Sequence, residues 1–575
     1  MRMWSLRGRT VEGALRLLGL GAALVLLALA AADLGSGSGS LAAEGCTITL
    51  SPGESIQQAI DDAPPGAVIC LSEGTWEENI KIRKSLTLRG IGAEKSVIEG
   101  AKAGHPVVWV ESASEIEVSL EGLTVTKAQR FKDRVCAVED PDWICPDGIR
   151  VGGRAQVSLT NCQVSGNRDD GLNVGGSAQV NLQDSRVSGN GDDGLWVGSS
   201  ARVSLQDSRV SDNGYDGLCV SDSARVSLTN CQVSGNGDDG LEVWNSARVN
   251  LQDSEISGNG DHGLWVGSSA QVSLQDCQVS GNGEEGLYLE DSAQVSLQDS
   301  QVSGNGHQGL DVKDSARLSL RDSQVSGNGG IGLRVFDSAR VSLQDSQVSN
   351  NGDGGLLVKD SARVSLEDSQ VSGNRSGLGV GDSARVEVTA CWISDNAGYG
   401  INKWGDATVT GRGNWVRYNV WDFRGFSPPP GFLRESPPQP LVDRAEVCPQ
   451  GCPFSTIQEA IARTRPGGTV HIHEGVYLGG MALVKDLTLE GEGKEVTIIT
   501  GSRWDGLTIA GEAVVAIRNL QVSGNEYDGL YVWGFARVTV QDSQVSGNGD
   551  DGLYVWGFAR VTVQDSQVSG NGDDG

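Results

Sequence analysis

Apolar and polar residues alternate along most of the chain in short bursts, each closed by Gly, Asn, Asp or Ser. In "LWVGSSARVSLQDSRV" (195–210) the apolar positions Leu195, Val197, Val203, Leu205 and Val210 fall on alternate residues of three short segments, the period of half-buried β-strands. The pattern recurs. Taking the Asn of "SGN", "SDN" or "SNN" as a marker gives Asn167, Asn190, Asn213, Asn236, Asn259, Asn282, Asn305, Asn328, Asn351 and Asn374, each step being 23 residues, and then Asn396 and Asn419 at steps of 22 and 23. Helical repeats of similar length need a continuous 3.6-residue periodicity, which is absent. Short strands with bends between them predict one coil of a parallel β-solenoid per repeat, an all-β fold.

Stacked coils lie about 4.8 Å apart, so equivalent residues form rows along the axis. Leu and Val rows are expected to fill the core. The Asn row is expected to bond amide to amide and to turn backbone while tolerating left-handed conformation. Cys162, Cys231, Cys277 and Cys391 occupy the slot five residues before the marker, where other coils have Ser. No two are in adjacent coils, and two coils put Cα atoms about 9.6 Å apart, beyond disulfide reach; they read as packed thiols.

Two segments mark beginnings of a solenoid. "SPGESIQQAIDDAPPGAVICLSEGTWEENIKIRKSLTLRGIG" (51–92) resembles the opening of pectin-lyase-like right-handed β-helix proteins, in which a short helix covers the first coil, and "PFSTIQEAIARTRPGGTVHIHEGVYLGGMALVKDLTLEGEG" (453–493) repeats it. Such a cover is needed because an open coil exposes a row of unpaired amides and carbonyls. The resemblance implies two tandem right-handed parallel β-helices, at 46–425 and 448–575, joined by a Pro-rich linker at 426–447. The first ends in the aromatic "GNWVRYNVWDFRGF" (413–426). In the second, 529–551 and 552–574 are the same 23-mer, and the sequence stops at Gly575 where Leu, Tyr and Val should follow; it is therefore expected to be a fragment.

The N-terminus adds a compartment. Arg2, Arg7, Arg9 and Arg16 flank "LLGLGAALVLLALAAA" (17–32), shorter than the ~20 residues of a spanning helix, so residues 1–45 are expected to be an export signal and flexible segment rather than an anchor. This makes the protein secreted, periplasmic or held at the cell surface, and integral in a membrane only if the signal is retained. Oxidising surroundings suit disulfides, and Cys46 with Cys70, Cys136 with Cys145, and Cys448 with Cys452 are the expected pairs. A net charge of −29 repels nucleic acid and anionic membranes.

Candidate chemistry gathers at the turn before Gly-Leu-x-Val. Polygalacturonase-like glycosidases place N-x-D, D-D and G-H-G motifs at this corner in successive coils, and here "NGYDG" supplies Asp216, "GDDG" Asp238 and Asp239, and "DHG" His262. The resemblance implies an acid and a base one coil apart around a glycosidic bond. It is incomplete: the family's R-x-K is split between Lys313, preceded by Asp311, and Arg334, followed by Phe336, and Asp261 replaces the glycine before the histidine. Duplication of a turn residue explains the aspartates equally. "SGNGDDGLW" also meets the positions of the calcium β-roll nonapeptide, which makes Asp170, Asp193 and Asp239 candidate calcium ligands, though its repeat here is 23 rather than nine residues. Copper has less to use: among His105, His262, His307, His471, His473 and Met481, only His471 and His473 share a strand face, without a third soft ligand, and they read as exposed strand residues.

Outward positions of the Leu-x-Val strand and its neighbour carry Trp196, Trp244, Trp265, Tyr288 and Phe336, then Tyr531, Trp533, Tyr554 and Trp556. Such a row either stacks on sugar rings or packs across strands. The long insertion "TKAQRFKDRVCAVEDPDWICPD" (126–147), with Phe131 and Trp143, is placed to wall one end of a groove. The sequence thus predicts a carbohydrate-binding or surface-structural module whose partner is a polysaccharide or cell-surface glycan. A polygalacturonase-like hydrolase and a calcium-stabilised adhesin are the alternatives.

Overall fold

A computed structural model describes residues 45–129, 145–434 and 440–575. Three strands make each coil, for example Leu195–Val197, Arg202–Gln206 and Arg209–Ser211, and each pairs in parallel with its counterpart one repeat later: Leu195 opposite Leu218, Val203 opposite Val226, Val210 opposite Val233. The architecture is a parallel β-solenoid. Because the pairing is in register, every apolar position sits on its own kind, and Leu195, Val197, Ala201, Val203, Leu205 and Val210 are all buried. Two hydrophobic cores result, one running from Leu50 to Phe432 and one from Ala445 to Val545. Cys46–Cys70 and Cys448–Cys452 are bridged near the start of each, with Cα separations of 5.8 and 5.5 Å. Cys136 and Trp143 lie outside the described residues, as does the apolar run at 17–32. No helix among the described residues is long and apolar enough to cross a membrane.

A helix covers the first coil of each core. In α1 (Ile56–Asp62) the hydroxyl of Ser55 accepts the Gln58 amide, and in α2 (Ile457–Arg463) that of Thr456 accepts the Glu459 amide, so each helix starts at a capping residue. Their apolar stripes, Ile56, Ala59 and Ile60 in one and Ile457, Ala460 and Ile461 in the other, are buried.

The marker asparagines form a continuous buried row. Each side-chain Nδ2 donates to the Oδ1 of the next, from Asn167 to Asn419, at 2.8–3.2 Å, and the same Oδ1 accepts the preceding asparagine's backbone N–H. The row needs the glycine at each Leu-x-Val turn: a Cβ on Gly217 would stand 2.5 Å from the Gly240 carbonyl and 2.8 Å from Asn236 Nδ2. The expected left-handed asparagines are not found in this row. That conformation falls instead on the preceding glycine (Gly189, φ 65°) and on turn aspartates such as Asp207 (φ 49°) and Asp222 (φ 59°), because the Asn side chain is held inward by its row while a short Asp tolerates the left-handed bend and bonds a neighbouring coil, as Asp222 does in accepting the Ser199 amide. In the Ser slot the thiol of Cys231 donates to Thr229 O at 3.3 Å. Burial pushes Cys162 up to about 11 and Cys391 to about 12, so these thiols are inert packing groups.

The expected linker is shorter than 426–447. Phe432 is fully buried in the end of the first core, with Phe426 packed on it at 5.2 Å between ring centroids, and Val442–Val447 is already a strand of the second solenoid. Apolar side chains at both ends of the Pro-rich stretch found cores to fill. The second solenoid also touches the flank of the first: Trp504 Nε1 donates to Gly329 O at 2.6 Å, and Lys485 Nζ stands 3.1 Å from Asp395 Oδ1 with both groups out of water.

Candidate functional site

The residue immediately before each Leu-x-Val turn glycine forms one row: Asp147, Asp170, Asp193, Asp216, Asp239, His262, Glu285. Asp170, Asp193, Asp216 and Asp239 each cap the following coil. Asp170 Oδ1 accepts the Asp193 amide at 3.3 Å, Asp193 that of Asp216 at 3.1 Å, Asp216 that of Asp239 at 2.9 Å, and Asp239 that of His262 at 2.8 Å. Asp216 and Asp239 are therefore neighbours, as a catalytic pair requires, but both are buried and committed to turn backbone. Asp238 sits in the adjacent row, where burial and a hydrogen bond to Asp261 raise it to about 6; it does not join the pair. One calcium ion cannot take all three candidate ligands. Asp170 and Asp239 are three coils apart, about 14 Å, whereas ligands of one calcium ion lie within about 5 Å of each other.

Burial and like charge raise the titration of four carboxyls of this row. Burial, then the Asp193 charge, pushes Asp216 up to about 9; burial, then Asp192, pushes Asp193 to about 7. Burial, then neighbouring aspartates, also lifts Asp147 and Asp170 well above the carboxylate range.

His262 ends the aspartate run and inverts its chemistry. Its Nδ1 lies 2.9 Å from Asp239 and its Nε2 3.3 Å from Glu285. Burial opposes a charged ring, but these two hydrogen bonds outweigh it and raise His262 to about 10. Glu285, despite burial, is held below its usual range by His262. One row over, Asp311 is fully buried, bonded by Arg334 in a bidentate pair and approached by Lys313 at 3.1 Å. The split Arg334 and Lys313 thus converge on one carboxylate. Tyr288, Trp265 and Trp244 cover this cluster, Tyr288 tilted over His262 with centroids at 5.2 Å, and Trp265–Tyr288 (5.8 Å) and Trp244–Trp265 (5.2 Å) meeting edge to face. They pack on each other and are half-buried, while Trp196 stands apart over Gly198. Glu285 and Asp311 were legible only as departures from the repeat, Glu285 in the aspartate row and Asp311 at the outward register of Tyr288 and Arg334.

These protonation states set a pH dependence. Asp193 and Asp216 titrate at about 7 and 9 when folded against 3.8 for the free group, and His262 at about 10 against 6.5. Above pH ~4 the unfolded chain sheds protons that the native state retains, so stability falls as pH rises, through pH 9 for Asp216 and between 6.5 and 10 for His262. The protein is expected to be more stable at pH 5 than at pH 8. Asp216→Asn, which keeps the acceptor, should stabilise by about 1–3 kcal/mol at pH 8 and change little at pH 5. Denaturant titrations at both pH values check this.

A second surface was not anticipated. Outward positions of the five-residue strand, the R and S of "RVSLQ", line a groove of about 1140 Å³ in which Arg317, Arg340, Arg363 and Arg385 stand in consecutive coils beside a row that includes Ser319, Ser342 and Ser365. These arginines are exposed and make no ion pair among the described residues. Their recurrence at one outward register was the available signal.

The residues 116–256, 170–316, 262–419 and 491–575 match the family described as right handed beta helix region, together more than half of the chain. The protein belongs to the right-handed β-helix family. Similar solved structures include the catalytic unit of a thermostable alpha-1,3-glucanase from Streptomyces thermodiastaticus (15% identity, 64% of this chain and 65% of that one, TM-score 0.40). Others are the A-module of the Azotobacter vinelandii mannuronan C-5 epimerase AlgE6 (17%, 67% and 95%, 0.33) and the pectate lyase Pel9A (17%, 52% and 74%, 0.32). No curated protein matches the sequence.

Proposed function

We propose that this is an exported polysaccharide-binding protein that holds an extended glycan along the arginine-lined groove. The observation that carries the reading is the groove itself: planar guanidinium donors recur once per coil, about 4.8 Å apart, above a serine row and without protein partners. The neighbouring turn aspartates bond backbone in the preceding coil, as Asp337 does to the Asp314 amide and Asp360 to that of Asp337, which leaves the guanidinium groups for a ligand. A repeating polymer presents hydroxyl or carboxylate acceptors in series, and a straight ladder of donors suits it better than a compact ligand.

Binding of the full chain to neutral and uronic-acid polysaccharides, measured by titration calorimetry, tests this. Arg340→Ser with Arg363→Ser should weaken binding about tenfold or more, since each removes a charge-assisted hydrogen bond. Unchanged affinity in that variant sinks the groove. Loss in Trp244→Ala with Trp265→Ala would move the site to the aromatic patch. Release of reducing ends that disappears in Asp239→Asn would make the protein a hydrolase at the acidic corner.

A further inference from the structure

The second solenoid carries a cluster that neither the acidic corner nor the groove uses. His471 and His473 alternate along one strand edge, so both project from the same face, and in-register pairing sets Glu446 of the preceding coil and Glu490 of the following coil directly beside His471. Glu492 follows two residues after Glu490 and so lies beside His473. His473 Nε2 is 3.1 Å from Glu446 Oε2 and its Nδ1 is 2.8 Å from Glu492 Oε1; His471 Nδ1 is 3.4 Å from Glu490 Oε2. The two rings meet edge to face at 4.9 Å. They are not the freely exposed strand residues that the sequence suggests: His471 is only 17% exposed.

We propose that Glu446, His471 and His473 form a binding site for a divalent transition metal of the zinc class. One ligand atom from each already lies within 4.8 Å of the others. Tetrahedral zinc with bonds of about 2.0–2.1 Å places its ligand atoms about 3.3 Å apart, so closure needs only rotations of partly exposed side chains. The surroundings supply what such a site requires beyond its ligands. Glu492 accepts from Nδ1 of His473, which fixes that tautomer and presents Nε2, while His471 Nδ1 is buried without a hydrogen-bond partner among the described residues, Glu490 standing 3.4 Å away. Two nitrogens and one carboxylate select zinc, nickel or cobalt over calcium and magnesium, which take oxygen shells. Arg444, 2.7 Å from Glu446 and 3.2 Å from Glu490, is the cation that now balances these acids. It is half exposed and free to swing away when a metal enters.

The test is titration of the purified full chain with Co²⁺ and Zn²⁺, followed by cobalt visible absorption and by calorimetry. One equivalent should bind with a tetrahedral cobalt spectrum, undiminished by millimolar calcium. His473→Gln should abolish binding, Glu492→Gln should weaken it about tenfold, and Arg444→Gln should tighten it. His262→Gln should leave it unchanged, which separates this site from the histidine of the first solenoid. If His473→Gln does not fold, as read by far-ultraviolet circular dichroism, Glu446→Gln carries the same expectation. Absence of a bound equivalent, or binding that survives both His473→Gln and Glu446→Gln, overturns the assignment.

Discussion

Asn282→Ala is expected to cost about 3–5 kcal/mol, several times a typical surface substitution. Asn282 is fully buried, and its Oδ1 accepts both the backbone and the side-chain N–H of Asn259, at 3.1 and 2.9 Å, while its Nδ2 donates to Asn305 at 2.9 Å. Alanine leaves two donors of Asn259 orphaned where no water reaches them. The row also polarises as a chain, so the loss spreads beyond one bond. Since coils touch only their neighbours, the damage should be local. Hydrogen exchange should show faster opening around residues 259–305 and little change near α1. A uniform loss of protection, or a cost below about 1 kcal/mol, would contradict the amide row as the structural spine.

Lys485→Ala is expected to be as severe, for a different reason. Asp395 is completely buried, and besides Lys485 it meets the hydroxyl of Ser394 at 2.6 Å. Burial, partly offset by Lys485, raises its titration above the usual range. Removing the lysine strands a carboxylate in the contact between the two solenoids, a change that costs about 3–5 kcal/mol where buried pairs are broken. Replacing both, as Lys485→Met with Asp395→Asn, should recover most of the loss, because a neutral pair carries no ionic desolvation penalty and Asn tolerates the left-handed backbone at this position (φ 57°). The check is the denaturation midpoint of the full chain in the three variants; equal destabilisation in the single and double variants would show that the ion pair itself is not the cause.

Much of the coil was legible because its causes are local. Val203, Leu205 and Val210 alternate, their counterparts recur every 23 residues, and parallel stacking then places each residue beside its equivalent without further information. The same reasoning found the corner where Asp216, Asp239 and His262 meet. It could not decide whether those carboxyls face water, since an aspartate at a turn suits either a solvated bend or an inward cap; the in-register amide of the next coil decides for the cap. Contacts between Lys485 and Asp395, or Trp504 and Gly329, follow no period at all, because they depend on how one solenoid packs against the flank of another. The Glu446–His471–His473 cluster lies between these cases. The histidine spacing was visible, but the third ligand comes from a coil that departs from the 23-residue pattern, and its register appears only once Glu446 is seen opposite His471.

The in-register stacking also bears on inheritance. Residues 529–551 and 552–574 are identical, and every row, whether leucine, valine or asparagine, continues through both without adjustment. A gain or loss of one whole unit in the coding sequence would therefore lengthen or shorten the rod by a single layer while leaving each remaining side chain with the same kind of neighbour. Reach along the axis is set by copy number, so a length variant made by unequal exchange between near-identical units would need no repair of its core.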